Sequence, residues 1–277
     1  MTTLVHLSDL HFGGLADIPA VEAVEEGLAA LRPTGIIVSG DFCQRARAGE
    51  FQRARAFLRA AARIAPVYAV AGNHDVQWWR EPFDVPLLGR ARLAKYRRYL
   101  ADDVPPRLLV DGAVICGAAS AHGLSWGSMT WNPRDLTVRG HLPKGDLARA
   151  AAAFAGGNGS GGGALRVLVV HHNVLKGRIS GRWGLARPVA ALHAIVASGA
   201  DVVCCGHDHE EGIGTIELDG RRVVVSTAGT LSTRGRNHRP PSFNVLQVTS
   251  AAIHVEIHGF DRGSGAFKVL EGRDFAR

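Results

Sequence analysis

An α/β fold is predicted by three features of the 277-residue chain. The first half alternates short apolar runs with amphipathic stretches of helical length. The last quarter changes to alternating or clustered β-formers separated by Gly and Pro. Five apolar runs end in Asp, Asn or His. Strands alternating with helices of about 10–15 residues are the pattern of β-α-β units around a buried sheet. The final segment adds strands of antiparallel character.

Leu4 to Leu7 is the first strand candidate. Ile18 to Leu31 reads as a helix because Val21, Val24 and Leu28 recur on one face. Gly35 to Ser39 is the second strand, Glu50 to Ile64 an Ala-rich amphipathic helix, and Pro66 to Ala71 the third strand. Pro86 to Leu100 reads as helical, and Arg107 to Ala119 holds two short strands. Ala121 to Gly140, rich in Gly, Ser, Trp and Asn, reads as a long surface loop. Leu142 to Ala155 is a helix that runs into the Gly-rich stretch 156–163, a flexible loop by composition. This stretch is a loop insertion and not a boundary, because the strand Leu165 to Val170 resumes the pattern at once. A helix at Pro188 to Ala197 and a strand at Asp201 to Cys205 follow. From Gly212 on, Ile216, Val223 to Val225, Phe243 to Val248 and Ile253 to Ile257 mark the antiparallel part. There are no internal repeats and no heptads.

Composition narrows the function. Hydrophobic residues make up 46% of the chain, enough for a substantial core. No apolar run approaches the roughly 18 residues of a membrane helix. The opening residues lack the basic and apolar regions of a signal peptide, so a soluble cytoplasmic protein without a membrane partner is expected. Cys43, Cys116, Cys204 and Cys205 form no Cys-x-x-Cys pair and read as core residues. The net charge of +7 keeps a nucleic-acid partner in view. However, the excess is Arg strewn along helical stretches, which a solvated helix face explains, and no aromatic ladder suited to single strands is present.

The chemistry lies in the run ends. These are Asp9-Leu10-His11, Gly40-Asp41, Gly72-Asn73-His74-Asp75, His171-His172-Asn173 and Gly206-His207-Asp208-His209. In open α/β sheets the carboxyl ends of strands are where loops converge on a rigid scaffold. Residues i and i+2 of an extended segment point the same way, so Asp9 and His11 can face one metal, as can His207 and His209 if the chain stays extended. Neighbouring glycines let the backbone turn tightly beside a crowded site. Asp, Asn and His without thiolates suit Mn, Fe or Zn in a reactive centre and not a structural zinc site. Enough ligands for two divalent ions point to phosphoester chemistry. His6 lies out of phase with Asp9 and His11 and reads as structural. His171 and His172 point opposite ways on a strand, so only one can face the metals. Asp208 reads as pointing away, and His122, His141 and His193 as ordinary surface or packed histidines.

The five segments, in this order, resemble the calcineurin-like metallophosphoesterase superfamily. Val5 to Gly13 and Ala228 to Arg234 are similar to its bacterial cyclic-nucleotide phosphodiesterase-like branch. The resemblance implies two mixed β-sheets packed as a sandwich flanked by helices, in one domain over residues 1–277. It implies that Asp9, His11, Asp41 and His209 bind a first metal, and that Asp41, Asn73, His171 and His207 bind a second. His74 then acts on the scissile phosphate, and Asp75 orients His74. Arg234 and His238 are candidate substrate contacts, together with Asn73 and His74. Where the family commonly has Pro after the isolated His, this chain has Asn173.

The implied function is a dinuclear metal-dependent phosphodiesterase. It hydrolyses a small phosphodiester such as a 3′,5′-cyclic nucleotide by direct attack of a hydroxide held between the ions. The alternatives are a phosphomonoesterase, or a diesterase for glycerophosphodiesters, nucleotide sugars or oligonucleotides. An inactive scaffold conflicts with the complete ligand set. Trp78, Trp79, Trp126 and Trp131 lie in the two loops expected to rim the site, and a monomer or a homodimer fits equally.

Overall fold

Eleven of the twelve strands among the described residues coincide with segments expected from the sequence, and the architecture follows from how their residues alternate. The computed structural model describes residues 1–76, 93–100, 106–121, 139–156 and 163–277. His122 and the four loop tryptophans Trp78, Trp79, Trp126 and Trp131 lie outside the described residues, as do nearly all of the surface loop expected at 121–140 and of the Gly-rich stretch. Two six-stranded mixed sheets are present. The first holds β1 (Thr2–Leu7), β2 (Gly35–Val38), β3 (Val67–Ala69), β10 (Ser242–Val248), β11 (Ala252–Asp261) and β12 (Ala266–Ala276), in the order β12-β11-β10-β1-β2-β3. The second holds β4 (Leu108–Val110), β5 (Ala113–Gly117), β6 (Leu165–His172), β7 (Val202–Gly206), β8 (Gly212–Leu218) and β9 (Arg221–Thr227), in the order β4-β5-β6-β7-β9-β8.

Successive residues of a strand face opposite sides of its sheet, and here both sides are buried. Leu4, Ile37, Tyr68, Val167, Val169, Cys204 and Leu246 fill the space between the sheets. Their neighbours Val5, Leu7, Ile36, Val38 and Val245 pack under the helices of the first sheet. Leu168, Val170, Val203 and Cys205 do the same under the helices of the second. The result is four layers, helix–sheet–sheet–helix. All four cysteines are free and buried, as core residues should be.

The outer layers are amphipathic. Helix α1 (Ile18–Gly27) buries Ala20, Val21 and Val24 and is capped by Asp17, whose carboxylate accepts from the Ala20 amide. Helix α2 (Ala48–Ala62) buries Phe51, Ala54 and Phe57 and exposes Arg53, Arg55 and Arg59. This bears out the solvated-face reading of those arginines. Of the helix expected at Pro86 to Leu100, the described part is α3 (Ala94–Tyr99). The second sheet carries α4 (Lys144–Gly156) and α5 (Pro188–Ala197). Strand β12 has no counterpart in the sequence reading. It pairs with β11 along most of its length and supplies an outer edge of the first sheet.

Parallel pairing decides where the site forms. β1, β2 and β3 run parallel, as do β5, β6, β7 and β9. The carboxyl ends of β1, β2, β3, β6 and β7 therefore bring the five polar segments together across the top of both sheets.

His6 closes the sandwich beneath them. Fully buried, it bonds Ser226 Oγ of β9 through Nδ1 at 2.9 Å and Ser39 Oγ through Nε2 at 3.0 Å. Burial pushes its imidazole down to about 3, against a smaller upward pull from Asp9. It is a neutral strut between the sheets, as its phase on β1 suggested.

Candidate metal centre

Two groups of side chains converge at this end of the fold. Asp9, His11, Asp41 and His209 each offer a ligand atom, all within 4.8 Å of one another, and so do Asp41, His171 and His207. Asp41 belongs to both. Its Oδ2 lies 3.7 Å from His11 Nε2 in one group and 3.5 Å from His171 Nε2 in the other. Asn73 completes the second group, its Oδ1 2.9 Å from both His171 Nε2 and His207 Nδ1.

The backbone achieves this by turning, not by extension. Asp9, His11, Asp41, His207 and His209 all have positive φ, between 47° and 78°. For residues other than Gly this region is sparsely populated and costs energy, and such residues concentrate at functional sites. The expectation that His207 and His209 face one metal from an extended segment is therefore corrected. The turn after β7 sends them to different groups. Gly72 and Gly40 permit the crowding. A Cβ on Gly72 would stand 2.1 Å from Asp41 Oδ1, and Gly40 has φ +103° with a Cβ position 2.7 Å from His171 Nδ1.

The donors suit a metal. Asp9 Oδ2 accepts from Ser8 Oγ at 2.6 Å and from the His207 amide at 2.8 Å, but buried Oδ1 has no hydrogen-bond partner. That free oxygen is 3.2 Å from His209 Nε2 and 3.6 Å from His11 Nε2, and the two imidazole nitrogens are 2.9 Å apart. Buried polar atoms are normally paired. An orphaned carboxylate oxygen facing two crowded imidazole nitrogens is a set of lone pairs that a cation satisfies.

Two main-chain carbonyls orient the imidazoles. His171 Nδ1 donates to Ser39 O at 2.8 Å, and His209 Nδ1 to Arg234 O at 3.3 Å. Each leaves Nε2 aimed inward, the usual arrangement of a ligating histidine.

The electrostatics agree. Burial raises the Asp41 and Asp9 carboxyls, but the surrounding imidazoles outweigh it and hold both below the usual carboxylate range. Burial pulls His207 down to about 3, reinforced by His171 beside it, and lowers His11 as well. Burial would lower His171 too, yet the Asp41 carboxylate and the bond to it lift that imidazole to about 9. Two carboxylates thus face the His11 and His207 imidazoles, which burial holds neutral, and a bound cation would take the place of the proton on His171.

His74 is partly exposed at the mouth, its ring edge-on to His11 with centroids 4.9 Å apart. Its amide donates to Asp41 Oδ1 at 2.8 Å and its Nδ1 to Gln44 O at 2.9 Å. The orienting role expected of Asp75 is a correction. The Gln44 carbonyl holds His74, while the Asp75 carboxylate accepts the amides of Phe42, Cys43 and Gly72 at 3.3, 2.9 and 2.9 Å. Burial and then Asp41 raise Asp75 to about 7, against the pull of those amides. It clasps the β2 and β3 loops together.

The other expectations divide. His172 turns from the metal groups, bonding Ser120 Oγ at 2.8 Å and packing on the His207 ring. Asp208 also points away, toward Arg236 at 2.7 Å. Asn173 does not face the site, because its amide donates to Leu175 O at 2.9 Å and Arg182 O at 3.3 Å and so pins the loop after β6. Exposed His193 pairs with Asp219. Arg234 and His238 are exposed, Arg234 meeting the site through its carbonyl. Sequence reasoning missed the Ser39, Gln44 and Arg234 carbonyls, which no side-chain pattern announces.

Residues 2–211 match the Calcineurin-like phosphoesterase family. The chain belongs to this family. A relative from Enterobacter lignolyticus, "Glycerophosphodiester phosphodiesterase GpdQ", is 31% identical over 151 residues, covering 50% of this chain and 53% of its own. The chain thus matches about half the length of that relative. Among solved structures, the purple acid phosphatase PPD1 of yellow lupin superposes with a TM-score of 0.65 at 13% identity, over 100% of this chain and 54% of that one. A dimetal phosphatase from Danio rerio superposes with a TM-score of 0.63 at 14% identity, covering 99% and 98%. At these identities the two structures establish the fold. The four-layer sandwich is that of metallophosphoesterases, and the His and Asp side chains are positioned to bind a metal centre. No helix among the described residues is long and apolar enough to cross a membrane.

Proposed function

We propose that the chain is a metal-dependent phosphodiesterase with a two-cation centre, acting on a small phosphodiester. The observation that carries this reading is the single Asp41 oxygen standing between two ligand groups. Asp9, His11, Asp41 and His209 would hold one ion, and Asp41, Asn73, His171 and His207 the other. Asp41 is suited to the shared place because a carboxylate has two oxygens and offsets charge from both ions. When bound, such a pair supplies an activated water, a clamp on phosphoryl oxygens and neutralisation of developing charge.

The remaining work falls to the chain. His74 stands at the mouth with Nδ1–H committed to Gln44 O, so that Nε2 donates to a phosphoryl oxygen, or protonates the leaving oxygen, when the ring is the imidazolium. Arg234 and His238 are exposed on the segment whose Arg234 carbonyl holds His209, and there a guanidinium would pair with a substrate phosphate. Asn73 belongs to the second group and precedes His74 in the chain, so it would touch both ion and substrate.

Two substrate classes lead. The GpdQ relative favours a glycerophosphodiester, and the Val5 to Gly13 and Ala228 to Arg234 segments favour a 3′,5′-cyclic nucleotide. A Mn²⁺-loaded sample is assayed against bis(p-nitrophenyl) phosphate, p-nitrophenyl phosphate, cyclic AMP, cyclic GMP and a glycerophosphodiester. Turnover of diesters is expected. Turnover confined to the monoester would overturn the diesterase reading, and no turnover with any divalent ion would overturn the enzyme.

A further inference from the structure

The segment Ala228–Arg236 follows β9 and contributes no ligand atom to either metal group. It nevertheless grips two members of the first group by their main chains. Thr230 Oγ1 donates to the Asp9 carbonyl at 2.6 Å, and the Leu231 amide reaches the same oxygen at 3.3 Å. The Arg236 amide donates to the His209 carbonyl at 3.2 Å, beside the bond from His209 Nδ1 to Arg234 O. Thr230 is itself fixed. It is 1% exposed, its oxygen accepts from the Ser232 amide at 3.0 Å and lies 2.7 Å from Ser232 Oγ, and its carbonyl accepts the Ser242 amide at 3.0 Å. With its proton on Asp9 O and both lone pairs engaged, the hydroxyl has no spare capacity.

Asp9 needs such a grip. Its φ of +53° is unfavourable for an aspartate, so the main chain holds that turn only while neighbours over-determine it. The second group touches Asp9 only through the bond from the His207 amide to Oδ2 and is otherwise anchored elsewhere. His171 leans on Ser39 O, and Asn73 follows the Gly72 turn clasped by Asp75.

We infer that Thr230 is a positioning residue chiefly for the first cation, its hydroxyl holding Asp9 in the left-handed turn that aims Oδ1 at the ion. This rests on the two-cation reading above, and the test separates the two. Metal-stripped full-length protein is titrated with Mn²⁺ by calorimetry and by electron paramagnetic resonance. The wild type should take up two ions and give an exchange-coupled spectrum. Thr230→Val, which keeps the shape and removes the hydroxyl, should retain one ion at wild-type affinity and bind the other about tenfold or more weakly, the usual cost of losing a supporting partner. Its spectrum should be that of isolated Mn²⁺ at one equivalent per chain. Thr230→Ser, which restores the oxygen, should recover the second ion and the coupled signal. Thr230→Ala is made in parallel, and whichever variant melts like the wild type is read. Two ions bound at wild-type affinity without the hydroxyl, equal loss of both ions, or a serine variant that binds like the valine one would each overturn the inference. A wild type that takes up no pair of ions would overturn the two-cation reading itself, before any variant is compared.

Discussion

Gly72→Ala adds one methyl group at the most crowded point of the site. The new Cβ would stand 2.1 Å from Asp41 Oδ1, 2.3 Å from the Asp41 amide nitrogen and 2.7 Å from Asp41 Cγ, where real Cβ atoms essentially never come closer than 3.0 Å. Gly72 has φ −99°, so alanine meets no backbone strain and the effect is steric alone. Relief requires the shared carboxylate, or the loop that carries it, to retreat by roughly 1 Å, a misplacement that costs about 10²-fold in rate at a catalytic site. Both ligand groups contain Asp41, so both ions should bind more weakly. The assay is kcat on bis(p-nitrophenyl) phosphate at saturating Mn²⁺, with metal content after dialysis. Gly49→Ala is the control. It lies in the first turn of α2 with nothing within 4 Å of its Cβ position, and should leave kcat unchanged while stabilising by up to about 1 kcal/mol. A Gly72→Ala enzyme with wild-type kcat and metal content would refute the steric argument and the central place given to Asp41.

His74→Ala should keep both ions and the melting temperature while lowering kcat about 10²–10⁴-fold, as loss of a general acid does; undiminished kcat would refute the role. Asp75→Ala should act on stability instead. It strips three buried amides of their acceptor at about 1–3 kcal/mol each, so a clear fall in melting temperature is expected, and an unchanged melt would refute the clasp. The buried His6 strut sets part of the acid limb. Its folded pKa of about 3 lies below its ordinary 6.5. The unfolded chain therefore takes up a proton that the folded chain refuses. The strut's contribution is complete above pH 6.5 and is lost as pH falls toward 3, by roughly 5 kcal/mol over the full shift. Denaturant titrations across that range should show a shallower fall for His6→Asn, and identical slopes would refute it.

Much of this was legible because burial writes itself into sequence. Strands covered on both faces read as apolar runs, so β1, β2, β6 and β7 appeared within a residue or two of their ends. The polar residues that end those runs were equally visible, and the fold brings Asp9, His11, Asp41, Asn73, His171, His207 and His209 together. Strand β12 stayed hidden because an edge strand is specified by its partner. Ala266–Ala276 is mostly exposed and carries Lys268, Glu271, Gly272, Arg273 and Asp274, with no face for periodicity to reveal. Asp75 was misassigned for a related reason. A carboxylate next to a catalytic histidine in sequence suggests a partner for it, but a tight 3-10 turn at Asn73–Asp75 aims the two side chains apart. The left-handed turns and the carbonyls that orient the imidazoles belong to the backbone, and no side-chain pattern encodes them.

The most direct test is a crystal structure of the Mn²⁺-loaded protein with anomalous diffraction recorded at the manganese edge. Two peaks about 3.5–4 Å apart are expected, with Asp41 bridging them, Asp9, His11 and His209 on one and Asn73, His171 and His207 on the other. A single peak, or two peaks that do not share Asp41, would contradict the account.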